Sequence, residues 1–157
     1  MKLRCLLTSL TIIGLIACSD GPEVNQNKLV NRSGKFYLKT SAEPFTGVGI
    51  IYYGFGEKKA ENRYKNGFSH GSQTTYYPDG TKETEVEWSE GKRLSFRSWY
   101  LTGDRREYTK LSGDNTWTGL YQAWWASGEK RAIYSLKNGQ IVPGSATYWD
   151  MDGNELK

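Results

Sequence analysis

The chain of 157 residues contains only two cysteines, one histidine and four prolines. Both cysteines, Cys5 and Cys18, stand near the start, so the rest of the chain has no thiol for a disulfide, a thiolate nucleophile or a cysteine-ligated metal. With His70 as the sole imidazole, neither a nucleophile–base pair nor a transition-metal cluster can be assembled, because each needs placed partners that no neighbouring residue suggests. No enzymatic activity, metal or cofactor is therefore expected. Long hydrophobic runs are missing too. The apolar stretch "CLLTSLTIIGLI", Cys5 to Ile16, has 12 residues, whereas a membrane-spanning helix needs about 20.

What is present at the start is an address. Lys2 and Arg4 precede the apolar stretch, the order of a secretory leader. Leu15-Ile16-Ala17-Cys18 resembles the bacterial lipobox, which implies that residues 1–17 are a cleaved lipoprotein-type signal peptide and that Cys18 is lipidated. Cys5 would leave with the leader. Ser19 stands where that pattern places an inner-membrane retention aspartate, so the resemblance implies the outer membrane in a two-membrane bacterium. Acyl chains, at about 0.8 kcal/mol per buried methylene, would hold the protein to a membrane without a spanning helix. Residues 18–28, ending in "SDGPEVNQNK", read as a polar, lipidated tether. Loss of Lys2 and Arg4 lowers the net charge from +4 to +2, which gives no reason to expect a nucleic acid partner.

From residue 29 to 157 the sequence repeats. The stretches "TGVGIIYYGFG", "HGSQTTYYPDG", "LSFRSWYLTG", "TGLYQAWWASG" and "PGSATYWDMDG" end on Gly56, Gly80, Gly103, Gly128 and Gly153, spaced by 24, 23, 25 and 25 residues. Four residues before each stands Tyr52, Tyr76, Trp99, Trp124 or Trp149. Entry glycines Gly47, Gly71, Gly119 and Gly144 and closing glycines Gly67, Gly91, Gly113 and Gly139 keep the same step. A period of this size signals a repeat architecture. In "YPDG", Pro78 presets the first central residue of a type I turn and Gly80 supplies the left-handed residue that closes a three-residue hairpin loop. Only the glycine persists across units, so the fold needs its backbone and not the Asp79 side chain.

Beyond each glycine the residues alternate as a strand does. One set reads Ala60/Asn62/Tyr64, Thr84/Val86/Trp88, Glu107/Thr109/Leu111 and Ala132/Tyr134/Leu136, with Glu107 its one charged misfit. The other reads Lys59/Glu61/Arg63, Glu83/Glu85/Glu87, Arg106/Tyr108/Lys110 and Arg131/Ile133/Ser135. The first set is expected to pack and the second to face water. The fold class is all-β: about five antiparallel hairpins joined edge to edge into one elongated twisted sheet, with an atypical first hairpin around Ser33-Gly34. Tyr52, Tyr76, Trp99, Trp124 and Trp149 are expected to stack as a ladder, each contributing roughly 0.5 to 1.5 kcal/mol beyond its buried area.

The units "TGVGIIYYGFGEKKAENRYKNG", "HGSQTTYYPDGTKETEVEWSEG" and "TGLYQAWWASGEKRAIYSLKNG" resemble the bacterial MORN-repeat variant, and "RSGKFYLKTSAEPFTG" is similar to the start of the branch labelled toxin–antitoxin antitoxin components. The resemblance implies a non-enzymatic repeat module that binds another protein, and in exported form an immunity protein against a toxin met at the envelope. Glu83, Glu85, Glu87, Arg106 and Lys110 form the candidate docking face. The alternative is a cell-wall or carbohydrate-binding module using exposed aromatics such as Trp125, since "TTYYPDG" is also similar to choline-binding wall repeats. Those place a tryptophan directly after a glycine, where this chain has Val48, Ser72, Leu120 and Ser145.

His70 occupies a slot filled elsewhere by Thr46, Leu94, Thr118 or Pro143. His70→Ala is therefore expected to leave the melting temperature nearly unchanged, whereas Gly80→Val, which forces a β-branched side chain into left-handed backbone at a cost of about 1 to 3 kcal/mol, lowers it clearly. Thermal unfolding of the two variants checks this, and the reverse ranking would remove the basis for the repeat.

Overall fold

A computed structural model describes residues 21–111 and 116–157. The leader, Cys18 and Gly113 lie outside the described residues. Strands β1 (Glu23–Asn25), β2 (Leu29–Arg32), β3 (Lys35–Leu38), β4 (Gly47–Tyr52) and β5 (Lys58–Lys65) are followed by β6 (Phe68–Tyr76), β7 (Lys82–Ser89), β8 (Lys92–Trp99) and β9 (Arg105–Lys110). The chain ends in β10 (Gly119–Trp124), β11 (Lys130–Lys137), β12 (Gln140–Ile141), β13 (Thr147–Trp149) and β14 (Glu155–Leu156). There is no α-helix among the described residues, and none is long and apolar enough to cross a membrane.

From β4 onward, neighbours in sequence are neighbours in the sheet, in the order β4-β5-β6-β7-β8-β9-β10-β11-β13-β14, with β12 also on β11. This is an all-β, elongated sheet of successive hairpins. Two features depart from the expected array. β1 adds to β4 in parallel, through Glu23↔Val48 and Asn25↔Ile50, so residues 23–25 belong to the sheet and are not part of a free tether. The hairpin β2–β3, turning at Ser33 and Gly34, forms a separate two-stranded sheet.

That small sheet covers one end of the long one. Leu29, Phe45 and Tyr64 are buried together with Val24, Phe36 and Leu38 packed against them, and the Tyr64 ring lies 4.6 Å from Phe36 and 6.0 Å from Phe45. This is the one cluster of fully buried apolar side chains among the described residues. Elsewhere the sheet is a single layer whose residues are mostly half-buried, so cohesion must come from each hairpin's neighbours.

The five loops share one construction. In the second, Gly80 N–H donates to Tyr77 O at 2.9 Å and Tyr77 N–H to Thr81 O at 2.8 Å, with Gly80 at φ +86°. The pairs Gly56/Tyr53, Gly103/Tyr100, Gly128/Trp125 and Gly153/Asp150 repeat it. A Cβ at Gly80 would meet no atom, so only backbone conformation demands glycine there. Entry glycine Gly119 is different: its Cβ would collide with the Lys110 carbonyl.

Successive hairpins are joined by more than the ladder. Pairing between hairpins stops at Ala60↔Thr75, Thr84↔Ser98, Glu107↔Ala123 and Ala132↔Tyr148, one residue short of Tyr76, Trp99, Trp124 and Trp149. A side chain from the preceding loop supplies the missing donor. Tyr53 Oη donates to Tyr76 O at 2.7 Å, Tyr77 Oη to Trp99 O at 3.0 Å, Tyr100 Oη to Trp124 O at 2.9 Å and Trp125 Nε1 to Trp149 O at 3.2 Å. The second aromatic of each pair is thus a clamp onto the next hairpin. Removing one donor, by Tyr77→Phe or Tyr100→Phe, is expected to cost about 0.5 to 1.5 kcal/mol. Tyr76→Phe, whose hydroxyl makes no hydrogen bond to another described residue, should cost less, and urea unfolding of the three variants measures the difference.

Candidate functional site

The site begins with a register shift. In each of four hairpins the second strand carries one extra residue, three positions after the turn glycine: Lys59, Glu83, Arg106 and Arg131. A bulged residue leaves the alternation and turns toward its successor's face. Lys59 Nζ lies 5.5 Å from the Tyr53 ring centre, and the guanidinium carbons of Arg106 and Arg131 lie 5.8 and 5.5 Å from those of Tyr100 and Trp125. Glu83, the one acid, accepts from Thr75 Oγ1 at 3.1 Å. The clamp aromatics and these residues share one face.

The other face receives the first aromatic of each pair, directly opposite a charged residue: Tyr52↔Lys58, Tyr76↔Lys82, Trp99↔Arg105, Trp124↔Lys130 and Trp149↔Glu155. The expected ring-on-ring ladder does not form. No two of these five rings are in contact. Strands lie about 4.8 Å apart, so equivalent residues of successive hairpins are separated by about 9.6 Å, too far for stacking. In two of the four gaps a cation from the intervening strand reaches the next indole: Lys82 Nζ stands 5.6 Å from the Trp99 ring and Lys130 Nζ 5.8 Å from the Trp149 ring. The row is aromatic–cation–aromatic, which replaces stacking by attraction to the ring quadrupole.

One strand position inward, the same face carries Glu61, Thr74, Glu85, Arg97, Tyr108, Gln122 and Ile133 in continuous register. Here the face expected to be wet is largely covered: Glu61 and Thr74 are buried. Ion pairs account for this. Glu61 holds Lys58 at 3.0 Å and Arg63 at 2.7 Å, and Glu85 holds Lys82 at 2.7 Å and Arg97 at 3.1 Å. In the next two hairpins the position three after the cation is Tyr108 or Ile133, and Arg105 and Lys130 have no such acid. The row therefore passes from neutralised to cationic.

At that transition lies a cleft of about 400 Å³, lined by Arg97, Trp99, Arg105, Tyr108, Gln122 and Trp124 together with Ser98 and Glu107. Arg97 lies over the Tyr108 ring at 5.5 Å while bonded to Glu85. Two indoles, two guanidiniums, a phenol and an amide converge in a half-open notch, a composition that offers ring faces and hydrogen-bond donors to a ligand. Glu107 contributes little charge to it. Its carboxylate lies 3.7 Å from Arg131 and beside Tyr121, whose phenol is pushed up to about 12 by burial and then by the Glu107 charge.

The candidate docking residues are distributed differently from the expected strip. Glu85 and Glu87 share the cleft's face with Lys110, through Glu85↔Arg97 and the run Glu87↔Ser95↔Lys110, but Glu85 is consumed by its two cations. Glu83 and Arg106 are bulge residues on the opposite side, so Glu83, Glu85 and Glu87 are not collinear. Trp125 is engaged under Arg131 and as a clamp, whereas Trp124 lines the cleft. Among the described residues no three His, Cys, Asp or Glu side chains gather where a metal ion could be held. His70 Nδ1 accepts from Glu90 N–H at 3.5 Å, the same job that Thr46 does for Asn66 at 2.9 Å and Thr118 for Asn138 at 3.0 Å. In three units the slot thus accepts from a left-handed turn residue, for His70 only at the limit of hydrogen-bond distance, whereas Leu94 and Pro143 offer no side-chain acceptor there.

The Glu85 carboxyl is held below the usual carboxylate range, first by its hydrogen bond from Lys82, then by Arg97, against the opposing cost of burial. Because the folded state lowers this pKa, its stabilisation is fully present above the ordinary carboxylate range and is lost as pH falls below that range and through the lowered folded value. Glu85→Gln is expected to destabilise the protein by about 0.5 to 1 kcal/mol at pH 7, with a smaller difference from the parent chain at pH 3. Urea unfolding at the two pH values checks the sign.

Compared with known proteins, the chain matches no family model, no curated protein and no solved structure.

Proposed function

We propose that this protein is a non-enzymatic, lipid-anchored repeat module of the MORN-variant kind that binds another protein through the cation–aromatic face. The observation that carries the reading is the cleft between Trp99 and Trp124, where Arg105 stands exposed and without an ion pair among the described residues. Tryptophan, tyrosine and arginine are the side chains that dominate protein interfaces, and here they converge in one notch. The immunity-type version of the reading places a toxin at this face, and the lipobox at Cys18 places the complex at the envelope.

A second reading, carbohydrate binding, is favoured by one feature, the two indoles that flank the notch. The two differ in what the bait retains. Capture from detergent-solubilised membranes with the full chain is expected to recover a specific protein that an Arg105→Glu bait fails to hold. Recovery of no specific protein, together with retention on a glycan array lost in Trp124→Ala, would favour the second reading over the first.

A further inference from the structure

Three sites invite a ligand: the Trp99–Trp124 notch, the aromatic groove of Tyr121, Trp125, Tyr134 and Tyr148 near β14, and the row of loop tips with Phe55, Leu101 and Met151 exposed. Only the notch combines shape, charge and unused hydrogen-bond donors. Resting on the protein-binding reading above, we propose that the notch and the row it interrupts bind an acidic, proline-rich segment in the polyproline II conformation, running across the strands with one turn of ligand per hairpin.

The spacing selects the conformation. Equivalent side chains of successive hairpins recur every 9.6 Å or so along the row, twice the strand separation. A polyproline II helix has three residues per turn and a rise of about 3.1 Å, so its equivalent side chains recur at about 9.3 Å on one face. An extended β-strand repeats its face at about 6.7 Å and falls out of step within one hairpin. An α-helix presents residues seven apart at about 10.5 Å and drifts by about 1 Å per hairpin. Rigid polyproline segments also dock between aromatic side chains at little entropic cost.

The chemistry selects composition. Within the row Lys82 and Lys130 lie over the next hairpin's indole, but Arg105 lies over neither Trp99 nor Trp124. Its exposed guanidinium fits a carboxylate in bidentate fashion. The Trp99 and Trp124 indole N–H groups, the Gln122 amide and the Tyr108 hydroxyl make no hydrogen bond to another described residue. A proline-rich chain offers carbonyl acceptors and few N–H donors, which matches a notch rich in donors. A saccharide offers a hydroxyl donor at almost every carbon and would need acceptors, of which the notch has few, because Glu85 and Glu107 are turned to their cations.

The test titrates the full chain in detergent micelles with a peptide of four Pro-Pro-Glu repeats, with a charge-matched Gly-Ser-Glu peptide and with an oligogalacturonate, following tryptophan fluorescence and calorimetry. The proline peptide is expected to bind saturably, at least about tenfold more tightly than the glycine peptide. Arg105→Ala and Trp124→Ala should each weaken it about tenfold or more. Arg105 is exposed and unpaired, so its variant should keep the parent melting temperature, which separates lost binding from lost fold. Equal binding of both peptides would overturn the proposal by leaving charge alone as the cause. No binding of the proline peptide, with a captured protein partner still lost in Arg105→Glu, would overturn it while leaving the protein-binding reading intact. Oligogalacturonate binding that needs Arg105 and Trp124, without peptide binding, would overturn both.

Discussion

Everything in this fold depends on a hydrogen bond that crosses from one hairpin to the next. The backbone ladder between hairpins ends one residue early, leaving a carbonyl at Tyr76, Trp99, Trp124 and Trp149 without a strand partner. A phenol or indole N–H from the preceding loop closes each gap. A buried or half-buried carbonyl left unpaired costs more than the bond is worth net, so the clamp protects the place where the array would otherwise fray. It also fixes the loops relative to the strands, because the clamp residue is the first residue of its own turn, accepting from the turn glycine through its carbonyl. In the fifth unit, Asp150 takes this position and its carboxylate instead accepts from Asp152 N–H at 3.0 Å and Asn154 N–H at 2.8 Å.

The clamp divides labour between the two faces. With the second aromatic of each pair committed to holding the next hairpin, the first is left on the opposite face. The bulge reinforces this division: it sends Lys59, Arg106 and Arg131 over the clamp rings and leaves Lys58, Lys82, Arg105 and Lys130 beside the free ones. Whether such a cation is available is decided by one residue, three positions on. Glu61 and Glu85 neutralise the cations of two hairpins, while Tyr108 and Ile133 leave the next two unneutralised. The side chain at this one position thereby decides where exposed cations gather along the sheet, without any change of backbone.

The hairpins and their loops were legible because glycine at positive φ leaves a mark that repeats every two dozen residues, and Gly56, Gly80, Gly103, Gly128 and Gly153 all have φ between 81° and 99°. The clamps were not, since their acceptors are main-chain carbonyls that no side-chain pattern records. The bulge was hidden for a related reason. Counting by twos groups Glu83 with Glu85 and Glu87, and only the register shift between Thr75 and Tyr76 moves it to the other face. The strand at Val24 had no local signal either: three residues pairing in parallel with β4 are specified by distant contacts. Of the candidate site, the aromatic positions could be read, but their spacing by interposed cations could not, because that follows from the distance between strands.

That distance also sets what this face can recognise. A ligand lying along a strand would meet side chains every second residue, and the aromatic–cation row offers it one rung. Crossing the strands, it meets an aromatic at every hairpin, with a cation between each pair. Twist, roughly 20 to 25° per strand, accumulates along that path, so a rigid ligand stays in contact over two or three hairpins before the row turns away. The unneutralised stretch from Trp99 to Trp149 covers that length. A longer cationic row would add charge repulsion within the sheet without adding reachable contacts, which gives a physical reason for Glu61 and Glu85 to close the row on one side.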